Sequence, residues 1–276
     1  MARGAGTLPV MPLPATGGHI AVEARGLVKR YGVMTAVDGV SFQIGRGEIV
    51  GFLGANGAGK TSTLRMLCGL IAPTSGKALI DGIDIVEHPL EAKARLGYLD
   101  EEPLVHPHLT GREFLNYIAD LYKMPRGPER QQRMERLLGL FELAERNSDL
   151  IGSYSHGMRQ KIGLASLLIR EPSVLLLDEP TNGLDPRSAR LVKDLLEELA
   201  ARGAAVLLST HILEVAQALC HRLAIIDRGK IVATGTMDEL RAQTGSDKAS
   251  LEDLFLTLTA GPESKELIER LLAPKP

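Results

Sequence analysis

Eight consecutive residues constrain this chain more than any other stretch: Gly54-Ala55-Asn56-Gly57-Ala58-Gly59-Lys60-Thr61. They fit G-x-x-x-x-G-K-[ST] in full. The run before them, Ile49–Leu53, is continuously apolar, as expected of a strand buried on both faces of a parallel sheet. The residues after them, Thr61–Leu70, read as a helix. Glycines allow backbone conformations that aim successive N–H groups at phosphate oxygens. The start of the helix adds the positive end of its dipole. Gly54 to Ser62 is therefore expected to cradle a nucleoside triphosphate, ATP. Lys60 would reach the β- and γ-phosphates, and the Thr61 hydroxyl would face Mg²⁺.

A second apolar run, Val174-Leu175-Leu176-Leu177, ends in Asp178-Glu179. Carboxylates at the carboxyl edge of an α/β sheet belong at the ligand crevice. In that place Asp178 would hold Mg²⁺, and Glu179 would polarise the water that attacks the γ-phosphate.

Around these motifs short β-rich runs alternate with helical ones, the pattern of an α/β core with a mainly parallel sheet. Further strands are expected at Ile20–Ala24 and Ser41–Ile44, an antiparallel pair at one side. Others are expected at Lys77–Ile80, at Ala205–Ser209, and at Leu223–Ile226 and Ile231–Thr234. The last two are joined by Asp227-Arg228-Gly229, a hairpin signal. Between about 103 and 170 the pattern turns helical. Thr110-Gly111-Arg112-Glu113 has capping-box spacing, and Leu115, Ile118, Leu121 and Tyr122 recur on one face. This stretch is too long for an ordinary connection and reads as an inserted helical subdomain. Residues 1–18, rich in Pro and Gly, are expected to be a flexible tail, 19–244 the globular ATP-binding domain, and 245–276 a helical extension.

Composition narrows the partners. The 276 residues carry a net charge of −2, which argues against broad polyanion binding, so no nucleic acid is expected. The two cysteines, Cys68 and Cys220, lie in apolar helical patterns with no metal-ligand spacing and read as buried thiols of a reducing compartment. No apolar run reaches the ~18 residues that span a bilayer. The expected location is cytoplasmic, with any membrane work done through a partner.

With these motifs placed, residues 19–240 closely resemble the ATP-binding subunits of ABC transporters. The resemblance implies a P-loop NTPase fold with an antiparallel β portion and an inserted α-helical subdomain. Ser155-His156-Gly157-Met158-Arg159-Gln160 is similar to the family signature, with Ser155 and Gly157 on its serine and second glycine. Their implied role is to hold the γ-phosphate bound to a second subunit. Asn182-Gly183-Leu184-Asp185-Pro186 resembles the D-loop, where Asp185 borders the shared nucleotide. Ser209-Thr210-His211 resembles the switch segment, which makes His211 a hydrogen-bond partner for the γ-phosphate and Glu179. Tyr31 takes the place of the aromatic that stacks on adenine. Glu101 stands where the family usually has the glutamine that binds Mg²⁺. A carboxylate can ligate the ion but cannot donate an amide hydrogen bond.

Glu101 and the Ser-His-Gly-Met-Arg-Gln-Lys signature together resemble a bacterial branch linked to drug, antibiotic or ion efflux. The implied activity is ATP hydrolysis coupled to export. The implied partners are a membrane-spanning permease and a second ATP-binding subunit, identical or closely paralogous, placing the chain peripherally on the cytoplasmic face of the membrane. The rival reading is a soluble ABC ATPase of translation or DNA maintenance. Those proteins typically carry two ATP cores or long coiled coils, whereas this sequence has one copy of each motif and no basic stripe.

Overall fold

The computed structural model describes residues 18–244 and 249–259. Most of the expected tail (1–18) and much of the expected extension (245–276) lie outside the described residues. In chain order the elements are β1 (Ile20–Tyr31), β2 (Met34–Gly45), β3 (Ile49–Leu53), α1 (Lys60–Leu67), β4 (Ser75–Ile80), β5 (Ile83–Asp84), α2 (Pro89–Arg95) and β6 (Leu96–Leu99). They continue with α3 (Gly111–Leu121), α4 (Pro128–Leu140), a single 3₁₀ turn, α5 (His156–Leu168), β7 (Val174–Asp178), α6 (Pro186–Ala201) and β8 (Ala205–Thr210). The last described elements are α7 (Leu213–Leu219), β9 (Arg222–Asp227), β10 (Lys230–Gly235), α8 (Met237–Thr244) and α9 (Leu251–Thr259).

Two sheets result. A four-stranded antiparallel sheet runs β2-β1-β4-β5, and a six-stranded sheet runs β10-β9-β3-β8-β7-β6, parallel except for the β9–β10 hairpin. The continuous apolar runs are explained by the two-residue repeat of a strand. Val174 and Leu176 face one core, while Leu175 and Leu177 face the other. Val50 and Phe52 divide in the same way from Ile49. The first core lies between the two sheets, where Phe42 of β2 meets Phe52 of β3 at 5.7 Å between ring centroids. The second lies under α3, α4, α5 and α6.

The hairpin at 227–230 closes through Arg228 and Gly229, both at positive φ, as a two-residue turn demands. The capping box also forms: Thr110 Oγ1 accepts from the Glu113 N–H at 3.2 Å, and the Glu113 carboxylate accepts from the Thr110 N–H at 2.9 Å. The buried face of α3 differs from expectation. Phe114, Leu115 and Ala119 are inside, whereas Leu121 and Tyr122 are exposed. Helical spacing alone allows either neighbouring stripe, and packing on α5 selects the one containing Phe114. The strands β5 and β6 and the helix α2 were not anticipated. β6 is only four residues long, too short for a periodicity, and becomes a strand through pairing with β7. The helix α2 starts on Pro89 at its first turn, a signal present but unread. Burial pushes the thiols of Cys68 and Cys220 up to about 11 and about 12, which favours their protonated form.

The turn before β3 is tied to β9 by a buried ion pair. Arg222 donates to Glu48 Oε1 at 2.6 Å, and Glu48 Oε2 accepts from the Gly45 N–H at 2.8 Å. Removing one member of such a pair leaves a buried charge, at a cost of ~3–5 kcal/mol. Arg222→Leu should therefore lower unfolding free energy by about 3 kcal/mol in urea titrations. A loss below about 1 kcal/mol would show that Glu48 does not depend on this partner.

Candidate active site

Register places the motifs together. At the carboxyl edge of the six-stranded sheet Leu53 pairs with Thr210, Ser209 with Asp178, and Leu177 with Leu99. The segments that follow these strands therefore emerge side by side: the glycine loop after β3, His211 after β8, Asp178-Glu179 at the end of β7, and Glu101 after β6. This is the edge at which parallel sheets open toward ligands.

The glycine loop is held from both sides. The N–H of Gly229, at the tip of the β9–β10 hairpin, donates to Ala58 O at 2.9 Å. Gly59 caps α1 at φ 109°, and a Cβ there would sit 2.6 Å from the carbonyl oxygen of Ala36. Only glycine combines that φ with that approach. Lys60 is buried and donates to Gly54 O at 2.6 Å and Ala55 O at 3.3 Å, folded over its own loop. Burial draws its ammonium below the ordinary value, and the carboxylates of Glu179, Asp178 and Glu101 act in the opposite direction.

Asp178 is 1% exposed and Glu179 4%. Asp178 Oδ1 accepts from the Ser209 hydroxyl, and Glu179 Oε1 lies 2.7 Å from His211 Nδ1. The second oxygen of each, Asp178 Oδ2 and Glu179 Oε2, is buried with no hydrogen-bond partner among the described residues. An unsatisfied buried carboxylate oxygen is costly and needs a reason. The reason is at hand: Asp178 and Glu179 line the same cleft as Lys60 and Thr61. Hard divalent cations take oxygen donors, and Thr61, Asp178 and Glu101, which line this cleft, carry side chains of that kind. Glu179 is itself strained, with φ 47° in the left-handed region. A residue other than glycine pays ~1–2 kcal/mol there. Its N–H donates to Ser209 O at 3.1 Å and its carbonyl accepts from the Asn182 N–H at 2.9 Å, which hold it in place.

The cleft measures about 330 Å³ and is lined by Tyr31, Met34 and Ala36 at one end, by Ala55, Asn56, Gly57, Gly59, Lys60, Thr61 and Ser62 along its floor, and by Glu101, Asp178 and Glu179 at the other. Tyr31, 46% exposed, pairs with exposed Met34 and carries the Lys29 ammonium 5.2 Å from its ring centroid. Gly54 and Ala58 belong to the loop, but Gly54 is packed against Ile226 and Ala58 is buried. The anticipated Ser155, Gly157 and Asp185 do not line the cleft. Ser155 is an exposed N-cap of α5, its Oγ accepting from the Met158 N–H at 3.2 Å. Asp185 caps α6 through Ser188, which pulls its carboxyl below the usual range. Met34, Ala36 and Ser209 were not anticipated as cleft and carboxylate contacts, because they reach the site only through strand pairing.

Residues 37–182, more than half of the chain, match the family described as ABC transporter. The chain belongs to the ABC transporter family. The daunorubicin resistance ATP-binding protein DrrA3 of Streptomyces coeruleorubidus is 40% identical over 229 residues, 83% of this chain and 72% of that protein. A solved ATP-binding subunit of an ABC transporter superposes with TM-score 0.82 at 34% identity, over 86% of this chain and 99% of that one. The ATP-binding cassette MJ0796, solved as a dimer in a post-hydrolysis state bound to ADP and Pi, superposes with TM-score 0.72 at 25% identity, over 78% and 98%. The chain spans 42% of the length of other curated relatives that it matches at 36% identity. An ABC ATP-binding fold thus accounts for both sheets and for the cleft between glycine loop and carboxylates.

Gly59→Ala should abolish nucleotide binding while leaving the fold intact, because the added Cβ displaces the loop from Ala36. A fluorescent ATP analogue titrated against the variant checks this. Binding within threefold of the parent chain would contradict the stated role of the loop geometry.

Proposed function

We propose that this chain is the ATP-binding and hydrolysing subunit of an ABC exporter, acting with a membrane-spanning permease and a second ATP-binding subunit. The observation that carries the reading is the cleft itself, in which a buried lysine and a glycine loop face two buried carboxylates, each with one oxygen unpartnered among the described residues. In this reading Tyr31 stacks on the adenine, the N–H groups of Gly54 to Ser62 receive the phosphates, and Lys60 leaves its carbonyl partners for the β- and γ-phosphate oxygens. Thr61, Asp178 and Glu101 hold Mg²⁺, which when bound neutralises phosphate charge. Glu179 takes the proton of the attacking water, and His211 fixes its Oε1 at 2.7 Å so that the other oxygen faces the cleft.

Ser155, Gly157 and Asp185 act in trans, on the nucleotide of the second subunit. Their place outside the cleft supports this, as does the dimeric state of the MJ0796 cassette. Ser155 and Gly157 sit at the N-terminus of a 13-residue helix, where the helix dipole and free N–H groups favour a phosphate. The name of DrrA3 gives daunorubicin resistance, which an exporter working at the cytoplasmic membrane face would account for. The permease docks near residues 103–122, where Leu104, Tyr117, Leu121 and Tyr122 are exposed.

Glu179→Gln keeps the shape of the side chain but removes its charge, so ATP hydrolysis should fall by ~10²–10⁴-fold. ATP left uncleaved between two chains should hold them together. Light scattering is expected to find a dimer with Mg-ATP and a monomer with Mg-ADP, and adding Ser155→Arg should remove the dimer. Normal turnover by Glu179→Gln would overturn the catalytic assignment. An inactive variant that stays monomeric would overturn the shared site for identical chains.

Charge-introducing substitutions at Leu104, Leu121 and Tyr122 should uncouple transport in the assembled complex and leave ATPase activity of the isolated chain unchanged. Transport at the parent rate in all three would count against docking there.

A further inference from the structure

Gln160 occupies a place that the proposed catalytic scheme leaves unused. It lies on α5 five residues after the Ser155 cap, and its side chain is 0% exposed. Its Nε2 donates to the carbonyl oxygen of Glu179 at 3.4 Å, while its Oε1 is buried with no partner among the described residues. A neutral amide half-satisfied in a core is an expense that packing alone would not select. The same helix meets the segment after Glu179 at a second point. A Cβ on Gly157 would lie 2.9 Å from Gly183 O, and the His156 ring rests on Gly183. The N-terminus of α5, the backbone of 179–183 and the left-handed Glu179 are therefore one mechanical unit. The Gln160 contact is also slack, at the long end of the hydrogen-bond range, so a shift of a few tenths of an ångström in α5 would tighten or break it.

We propose that Gln160 is a positioning residue that reports the state of the α5 N-terminus to Glu179. The proposal rests on the reading above, in which Ser155 receives the γ-phosphate of the second subunit. A phosphate drawn onto Ser155 moves α5, Gln160 then grips the Glu179 carbonyl, and the left-handed backbone that aims the carboxylate is held. Each chain thereby hydrolyses its own ATP when its helix is engaged by the partner's.

The test uses the full chain carrying Gln160→Met, which keeps volume and loses the donor, with Glu179→Gln and Ser155→Ala alongside. Gln160→Met is expected to lower kcat about tenfold with KM for ATP within twofold. The thermal midpoint should stay near that of the parent, and in the Glu179→Gln background the ATP-dependent dimer should persist. The double variant Ser155→Ala/Gln160→Met should lose at least threefold less kcat than the product of the single losses, because the two residues act along one path. Parent-like kcat, losses that multiply, or kcat, KM and thermal midpoint failing together would overturn the proposal. If Gln160→Met does not fold, Gln160→Glu carries the same comparisons, since it keeps the shape and donates only when protonated. Normal hydrolysis by Glu179→Gln would instead overturn the underlying catalytic reading, so the two failures are distinguishable.

Discussion

Asp178 and Glu179 bring two carboxylates to a place that burial makes expensive, and the architecture around them follows from making that place tenable. Their inner oxygens are satisfied by the hydroxyl of Ser209 and the ring of His211, both from the neighbouring strand end. The second oxygen of each has no partner among the described residues, and both residues line the cleft that holds Lys60. Such a site tolerates its own charge because positive charge is near and more is invited.

Parallel pairing is what allows this. In a parallel sheet all strands end at one edge, so β3, β6, β7 and β8 release their loops into a common crevice. Full burial on both faces then demands uninterrupted apolar strands, and β3, β7 and β8 are buried throughout. The antiparallel sheet adds a different element, the end of β1 at Tyr31 and the start of β2 at Met34, which forms the apolar end of the cleft. The two ends of the cleft thus belong to separate sheets, fixed to each other by the core between Phe42 and Phe52.

Local signals were readable wherever chemistry imposes a residue type on a spacing. The glycine loop, the Asp-Glu strand end, the Thr110 capping box and the Arg228-Gly229 turn each need particular residues at particular offsets, and each stands where the spacing put it. What stayed hidden had no such imprint. β6 is a strand because β7 lies beside it, and the choice of the Phe114 stripe over Leu121 is made by α5. The contact of Gln160 with Glu179 joins residues 19 apart through a side chain that reads, locally, as an ordinary helical glutamine.

The sequence by itself determined the phosphate loop, the identity of the acids and the α/β alternation, since steric freedom at glycine, charge on a carboxylate and hydrophobic period are properties of single residues and short windows. Tertiary structure alone decided three further matters. It put Ser209 and His211 on the carboxylates, it kept Ser155, Gly157 and Asp185 out of the cleft that holds Lys60, and it held Glu179 in a left-handed conformation. These are outcomes of strand register and helix packing between segments far apart in the chain. No short window of sequence carries the energy of contacts that form only when the sheet has closed.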